Sequence, residues 1–581
     1  MSSSSSPKSG NRWLVGIIVI LLIALVGAVC VGAAGLIYLS QQNSVAQNNA
    51  PSNTPVAGRT SAPSSSGSTP ASPAQAPAGN VLRLPGGTGA GGDPPTLDPA
   101  LAGDAESAVY MAEIFSGLVT LDPNLKVIPD IAESWDISPD RMTYTFHLRK
   151  NVKFHNGRPV TAQDFQYSID RVANPATGSS TAETYLGDIV GFKDRLDGKA
   201  SSVSGVKVID DYTLQITIDS PKSYFLAKLT FPAAFVVDKN NVEQGGRTWT
   251  DHPNGTGPFM LKEYVRGQRI VLVKNPYYYL DPKPQVDEVD FILGGGSFMT
   301  MYENGDLDST PVTISDIARV QDPSSPLNKQ LSTGPELSTC FVVFNTHKAP
   351  FDDVNVRKAF AEAIDRQSLA NVVFKKMVPV ANGIMPPGMP GYTEPQQDIP
   401  FDATQAKQLL AQSKYAGKLP DITWTTTGAG GSASQDVQAM TGMLKDNLGV
   451  NVSIQQTDWA TFIGQLDDPA NNPYQMFDIC WIADYADPQD WYDILFHTGS
   501  NQNWADYSNP DVDKLIDQAG TESDPATRFK LYQQAEQKIL ADMPVLPLTY
   551  GSQYWLTKPY VKGMIYPPIV IPRLRYVSIS H

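Results

Sequence analysis

Histidine and cysteine are scarce in this chain of 581 residues, with six of the first and three of the second. The histidines stand at 147, 155, 252, 347, 497 and 581, at no spacing that would gather a metal ion, and no H-E-x-x-H run occurs. A G-x-S-x-G nucleophile elbow is also missing. Nothing in the sequence asks for hydrolytic chemistry, although a triad built from distant residues leaves no motif. Positive charge is deficient as well: 44 Lys and Arg against 59 Asp and Glu leave a net charge of -15. Such a surface repels phosphate backbones, which excludes nucleic acid as a partner. The acidity suits a cationic or zwitterionic ligand only weakly, because ordinary solubility charge on a large surface accounts for it.

What is abundant is length, apolar side chains (41%) and turn formers, 45 Gly and 46 Pro. A chain this long exceeds what one core serves, so two or three lobes are expected. No charged residue lies between Trp13 and Leu39, a run long enough to span a bilayer with some tilt. Lys8 and Arg12 precede the run and the next positive charge is Arg59, so the N-terminus (1–12) is expected in the cytoplasm and the remainder outside. A cleaved secretory signal is the competing reading, but its apolar region is normally about 7 to 15 residues. We read 13–39 as an uncleaved transmembrane anchor. Cys30 lies inside that run, which suits a lipoprotein acylation site poorly. Residues 40–80, rich in Ser, Ala and Pro, cannot bury enough surface to offset ordering entropy and are expected to form a disordered tether. Cys340 and Cys480, each in an apolar stretch, are read as two buried free thiols, with pairing left open in an oxidising compartment.

The folded part begins with a short strand at Val81-Leu82-Arg83-Leu84. The run Gly87-Thr88-Gly89-Ala90-Gly91-Gly92 matches G-x-G-x-x-G, but Asp93-Pro94-Pro95 follows where a dinucleotide site needs a helix N-terminus. Helical apolar spacing then runs from Ala108 to Val119. Residues 132–171 read as two strands, a turn at Asn156-Gly157 and a helix capped by Thr161 with Asp164. Two alternating strands flank a turn at Asp210-Asp211, giving a compact α+β region. Arg269 to Lys274 reads as a further strand. Cys340 to Asn345 reads as a strand buried on both faces of a mixed or parallel sheet. Strands and helices then alternate through Ile422–Thr426, a helix at 436–448 and a strand at 450–456, up to the apolar segment Phe477-Asp478-Ile479-Cys480.

Several segments together carry a family resemblance. They are Gly92-Asp93-Pro94-Pro95-Thr96-Leu97-Asp98-Pro99, the 132–171 stretch, His252 to Phe259 with Asn275-Pro276-Tyr277-Tyr278, Phe344-Asn345-Thr346 with Pro350 to Val354, and Trp481-Ile482-Ala483-Asp484-Tyr485-Ala486-Asp487-Pro488. The chain resembles solute-binding protein family 5, the binding proteins of bacterial ABC importers for oligopeptides and dipeptides, over about residues 81–577.

The resemblance implies an α/β, two-lobed, type II periplasmic-binding-protein-like fold with an extra α+β subdomain. Lobe I would comprise 81–121, 250–336 and a return at 544–581, the subdomain 122–249, and lobe II 337–543. Hinges are expected near Gly334-Pro335 and Pro544 to Pro547. By resemblance, Asp484 would pair with a peptide's α-ammonium, and Asp104 and Ala105 would contact its backbone. Trp481 and Tyr485 are candidate pocket walls. No Arg, Lys or His is matched to the basic residues with which peptide-binding relatives meet a ligand carboxylate. The implied partners are a peptide ligand, a membrane permease and, through it, cytoplasmic ATPase subunits, with the binding protein a monomer at the membrane and no cofactor. A non-peptide ligand such as a nickel chelate or oligosaccharide, a tethered receptor and a hydrolase are the alternatives.

Overall fold

The structure is a computed structural model that describes residues 79–580 except 90, 396–398, 429 and 467–470. The anchor expected at 13–39, and the tether apart from its last two residues, lie outside the described residues. Among those described, no helix is long and apolar enough to cross a membrane.

Three sheets organise the chain. In the first, Val81–Pro85 runs parallel to Glu288–Ile292, which continues antiparallel to Arg269–Lys274 and then Phe259–Val265. The period of two in Val81–Pro85 sends Leu82 and Leu84 inward and leaves Val81 and Arg83 half-buried. Helix Ala105–Ile114 lies against this sheet, with Tyr110 meeting Phe291 edge to face at 5.0 Å between ring centroids.

The second sheet orders Ala132–Ile137, Thr143–Leu148, Thr213–Thr217 and Val206–Asp210, all antiparallel. Tyr144, Phe146 and Leu148 face inward from Thr143–Leu148. The expected helix is present as Ala162–Val172, and Thr161 and Asp164 form a reciprocal capping box.

The third sheet is mixed and six-stranded. Its order is Ser309–Pro311, Val545–Thr557, Leu331–Phe344, Met476–Ile482, Ile422–Thr427 and Val452–Thr457. Leu331–Phe344 is antiparallel to both neighbours, whereas Ile422–Thr427 is parallel to both of its own. The two long strands, 14 and 13 residues, carry register shifts at Pro335/Thr339 and Cys340/Phe341. Gly334-Pro335, expected to flex, sits at the first of these irregularities.

Two sequence expectations are corrected. Cys340 and Cys480 are not buried free thiols: they are directly opposed in the antiparallel pair and form a disulfide, with Cα atoms 3.8 Å apart. Cys480 is exposed and Cys340 half-buried. Two apolar-flanked cysteines 140 residues apart gave no hint of that opposition. The helix expected to run to Val119 ends at Ile114. Phe115 is already extended, and a Cβ on Gly117 would lie 3.1 Å from the Phe235 ring and 3.2 Å from the Leu229 carbonyl. Leu118 and Val119 are apolar because the chain buries them in the bend and strand that follow, not because they continue the helix.

Candidate functional site

Asp104, Ala105, Trp481 and Asp484, four of the five residues singled out in the sequence, line one cavity of about 280 Å³. The fifth, Tyr485, is fully buried off that cavity, its hydroxyl bonded to Gln489. The cavity draws on three parts of the chain. Gly103 to Glu106 form one wall, Tyr185 and Phe231 come from the region of the second sheet, and Asp478 to Asp484 come from the third sheet.

The first wall is built by a helix start. Asp104 is the N-cap of Ala105–Ile114 and accepts a hydrogen bond from the Ser107 amide at 2.9 Å. Burial pushes its carboxyl up, against the hydrogen bonds of the cap. Glu106 accepts from the Thr88 amide at 2.9 Å and from the Thr88 hydroxyl. The glycine-rich loop thus lies on this wall, held by a carboxylate.

Opposite, strand Met476–Ile482 alternates: Phe477, Ile479 and Trp481 are buried, while Asp478, Cys480 and Ile482 form the less buried face. Asp478 accepts from the Trp424 indole N–H at 2.7 Å and from the Thr426 hydroxyl at 3.2 Å. Burial pushes its carboxyl up to about 6. Asp484 follows two residues after the strand, at a carboxyl end where open α/β sheets hold ligands. The turn beyond it is pinned by Arg528, whose guanidinium grips Asp487 through two bonds of 2.8 and 2.6 Å.

Asp484 accepts a hydrogen bond from the Tyr185 hydroxyl, and burial pushes its carboxyl up to about 7. Tyr185 is itself stacked on Phe231 with centroids 3.5 Å apart. Behind Asp484 lies Asp490, fully buried; one of its oxygens accepts from the Trp481 indole at 3.2 Å and the Asp484 amide at 3.1 Å, and the other has no partner. Burial, and then the charge of Asp484, raise the Asp490 carboxyl well above its ordinary value. The hydrogen bonds to the pair come from a hydroxyl, an indole and a backbone amide, all neutral. Two adjacent carboxyls with neutral donors alone cannot both ionise cheaply, so the pair shares a proton or waits for a positive group.

Sequence reasoning missed Tyr185, Asp490 and the role of Asp478. Tyr185 lies 299 residues from Asp484, and no local pattern links them. Asp478 did carry a signal, a lone carboxylate inside an otherwise apolar strand.

A cavity of ligand size, lined with carboxylates at the carboxyl end of an open mixed sheet, is the kind of site a solute-binding protein presents. The comparisons agree in detail. The model for bacterial extracellular solute-binding proteins, family 5 Middle, matches residues 126–503, and this chain belongs to that family. The dipeptide-binding protein DppE of Bacillus subtilis is 30% identical over 82% of this chain and 88% of its own length. The periplasmic oligopeptide-binding protein OppA of Salmonella typhimurium is 33% identical over 81% of this chain and 88% of its own. The solved structure of the Escherichia coli murein tripeptide binding protein MppA, 30% identical, superposes with a TM-score of 0.76 over 86% of this chain and 98% of that one.

Proposed function

We propose that the protein is the extracytoplasmic binding component of an ABC importer, anchored by residues 13–39, and that it takes short peptides by their free α-ammonium at Asp484. The observation that carries this reading is the Asp484–Asp490 pair: two deep carboxyls, hydrogen-bonded only to neutral donors, at the edge of a cavity. An ammonium supplies the missing positive charge, and a ligand lacking one leaves a desolvated carboxylate unpaired at a cost of several kcal/mol. Trp481, Asp104 and Ala105 serve as walls and backbone contacts, and Tyr185 orients the Asp484 carboxylate.

In this reading lobe I is 81–121 with 250–336 and 544–581, the extra subdomain is 122–249, and lobe II is 337–543. Strand Leu331–Phe344 then crosses from lobe I into lobe II, and Val545–Thr557 begins the return to lobe I, where a hinge belongs. The closed monomer hands its ligand to a permease driven by cytoplasmic ATPase subunits, and no cofactor takes part. The names of DppE, OppA and MppA as peptide binders support the ligand class.

The test is mass spectrometry of small molecules released by denaturation from the full chain, purified in detergent from cells grown in rich medium. Peptides with free N-termini are expected with the wild type and absent with Asp484→Ala. A sugar or metal chelate in their place would refute the peptide assignment.

A further inference from the structure

The cavity that holds Asp484 is acidic throughout. Its titratable lining residues, apart from Tyr185, are Asp104, Glu106, Asp478 and Asp484, and among the described residues no Lys, Arg or His lines it. Each of the four is hydrogen-bonded to neutral donors: backbone amides, hydroxyls or an indole. Beside them the unpartnered oxygen of Asp490 is fully buried. A smaller adjoining cavity does contain a cation, Arg573, but Glu113 and Glu336 line the same space. The Arg573 guanidinium lies over the Trp555 and Tyr566 rings, and Glu113 accepts the Arg573 amide at 2.8 Å. That guanidinium is stacked on two rings and lies off the lining of the cavity that holds Asp484.

Asp478 is the residue the amine role of Asp484 leaves unexplained. As a tie between strands its work would be done by an amide side chain, since both of its partners are neutral donors. A carboxylate there instead places a second uncompensated negative charge on the cavity floor, on the less buried face of Met476–Ile482. Four strand steps, about 13 Å at roughly 3.3 Å per residue, carry the chain from Asp478 to the strand end at Ile482, and Asp484 lies in the turn two residues beyond.

We propose that the cleft selects basic peptides: Asp484 takes the α-ammonium, and Asp478 takes the side-chain cation of a Lys or Arg about three residues further along the ligand. This rests on the peptide reading above and goes beyond it by naming the charge of the ligand and the residue that reads it. With no cation on this cavity's lining, the ligand's own carboxylate is not anchored there. Amidating it therefore strengthens binding, and the cleft discriminates by attraction at one end and like-charge repulsion elsewhere.

The experiment is calorimetric titration of the ligand-stripped full chain with alanine pentapeptides carrying lysine, norleucine or glutamate at the fourth position, as free acids and as amides. Lysine is expected to bind about tenfold or more tighter than norleucine, and glutamate weaker than both. Added salt should narrow the lysine advantage. Asp478→Asn, which keeps an acceptor for the Trp424 indole, should bring the lysine-to-norleucine ratio close to one, and Asp478→Glu should retain much of it. Equal binding of the three peptides, or a ratio that survives Asp478→Asn, would overturn charge selection while leaving peptide capture intact. If no pentapeptide of any charge binds, the peptide reading fails and this inference with it.

Discussion

Replacing Asp484 with Asn is expected to make the empty protein more stable at neutral pH while removing its ligand affinity. Burial carries this carboxyl from an ordinary 3.8 to about 7. A carboxyl raised in this way holds its proton longer in the folded protein than in the unfolded chain. Its cost to stability is nil below about 3.8, grows as pH rises and is complete above about 7. The full displacement corresponds to about 4 kcal/mol, a ceiling because Asp490 shares the protonation. At pH 5 less than half of it applies. Asparagine carries no such cost and can still accept the Tyr185 hydroxyl. For a folded region of this size the variant should melt about 4 °C higher than the wild type at pH 8, and the gap should shrink at pH 5. The assay is thermal unfolding of ligand-stripped protein, followed by circular dichroism at both pH values and repeated with peptide. Peptide should raise the melting temperature of the wild type and leave the variant unmoved. A variant that melts at or below the wild-type temperature at pH 8, or a gap independent of pH, would refute the argument that Asp484 is held ionised against its surroundings.

Three further outcomes follow from packing and pairing. The Cys340–Cys480 link closes a loop of 140 residues, so chain entropy assigns it up to about 5 kcal/mol; the double serine variant should unfold at markedly lower urea, and an unchanged midpoint would show the link to be energetically idle. Arg528→Ala strands Asp487 beside a buried gap and should cost about 3–5 kcal/mol, with peptide affinity falling as the turn after Asp484 loosens; hydrogen exchange at 484–490 reads the loosening directly. Asp104→Ala removes an N-cap and should cost about 1 kcal/mol, measurable by the same urea titration.

Local signals carried well from sequence to structure. The capping box at Thr161 and Asp164, the strands read within 132–171 and the apolar segment Phe477 to Cys480 each depend on residues a few positions apart, and each is found. What did not carry is what the fold brings together from afar. Cys340 and Cys480 are paired by strand register, and Tyr185 reaches Asp484 only because the region of the second sheet folds over the third. The helix end at Ile114 was hidden for a different reason: burial makes Phe115, Leu118 and Val119 apolar whatever their backbone does. The direction in which Asp478 points followed from knowing which face of its strand is covered, a property of neighbouring strands that its own residues do not encode.

The disulfide between Leu331–Phe344 and Met476–Ile482 also acts as an index mark. Side chains of a strand change faces with every residue, so a slip of one position along the neighbouring strand would turn the Asp478 carboxylate into the protein and bring Phe477, now buried off the cavity, toward the ligand. A covalent bond between directly opposed residues forbids that slip. Oxidation of this pair therefore reinforces the register that keeps the Asp478 carboxylate, and not the Phe477 ring, at the binding cleft.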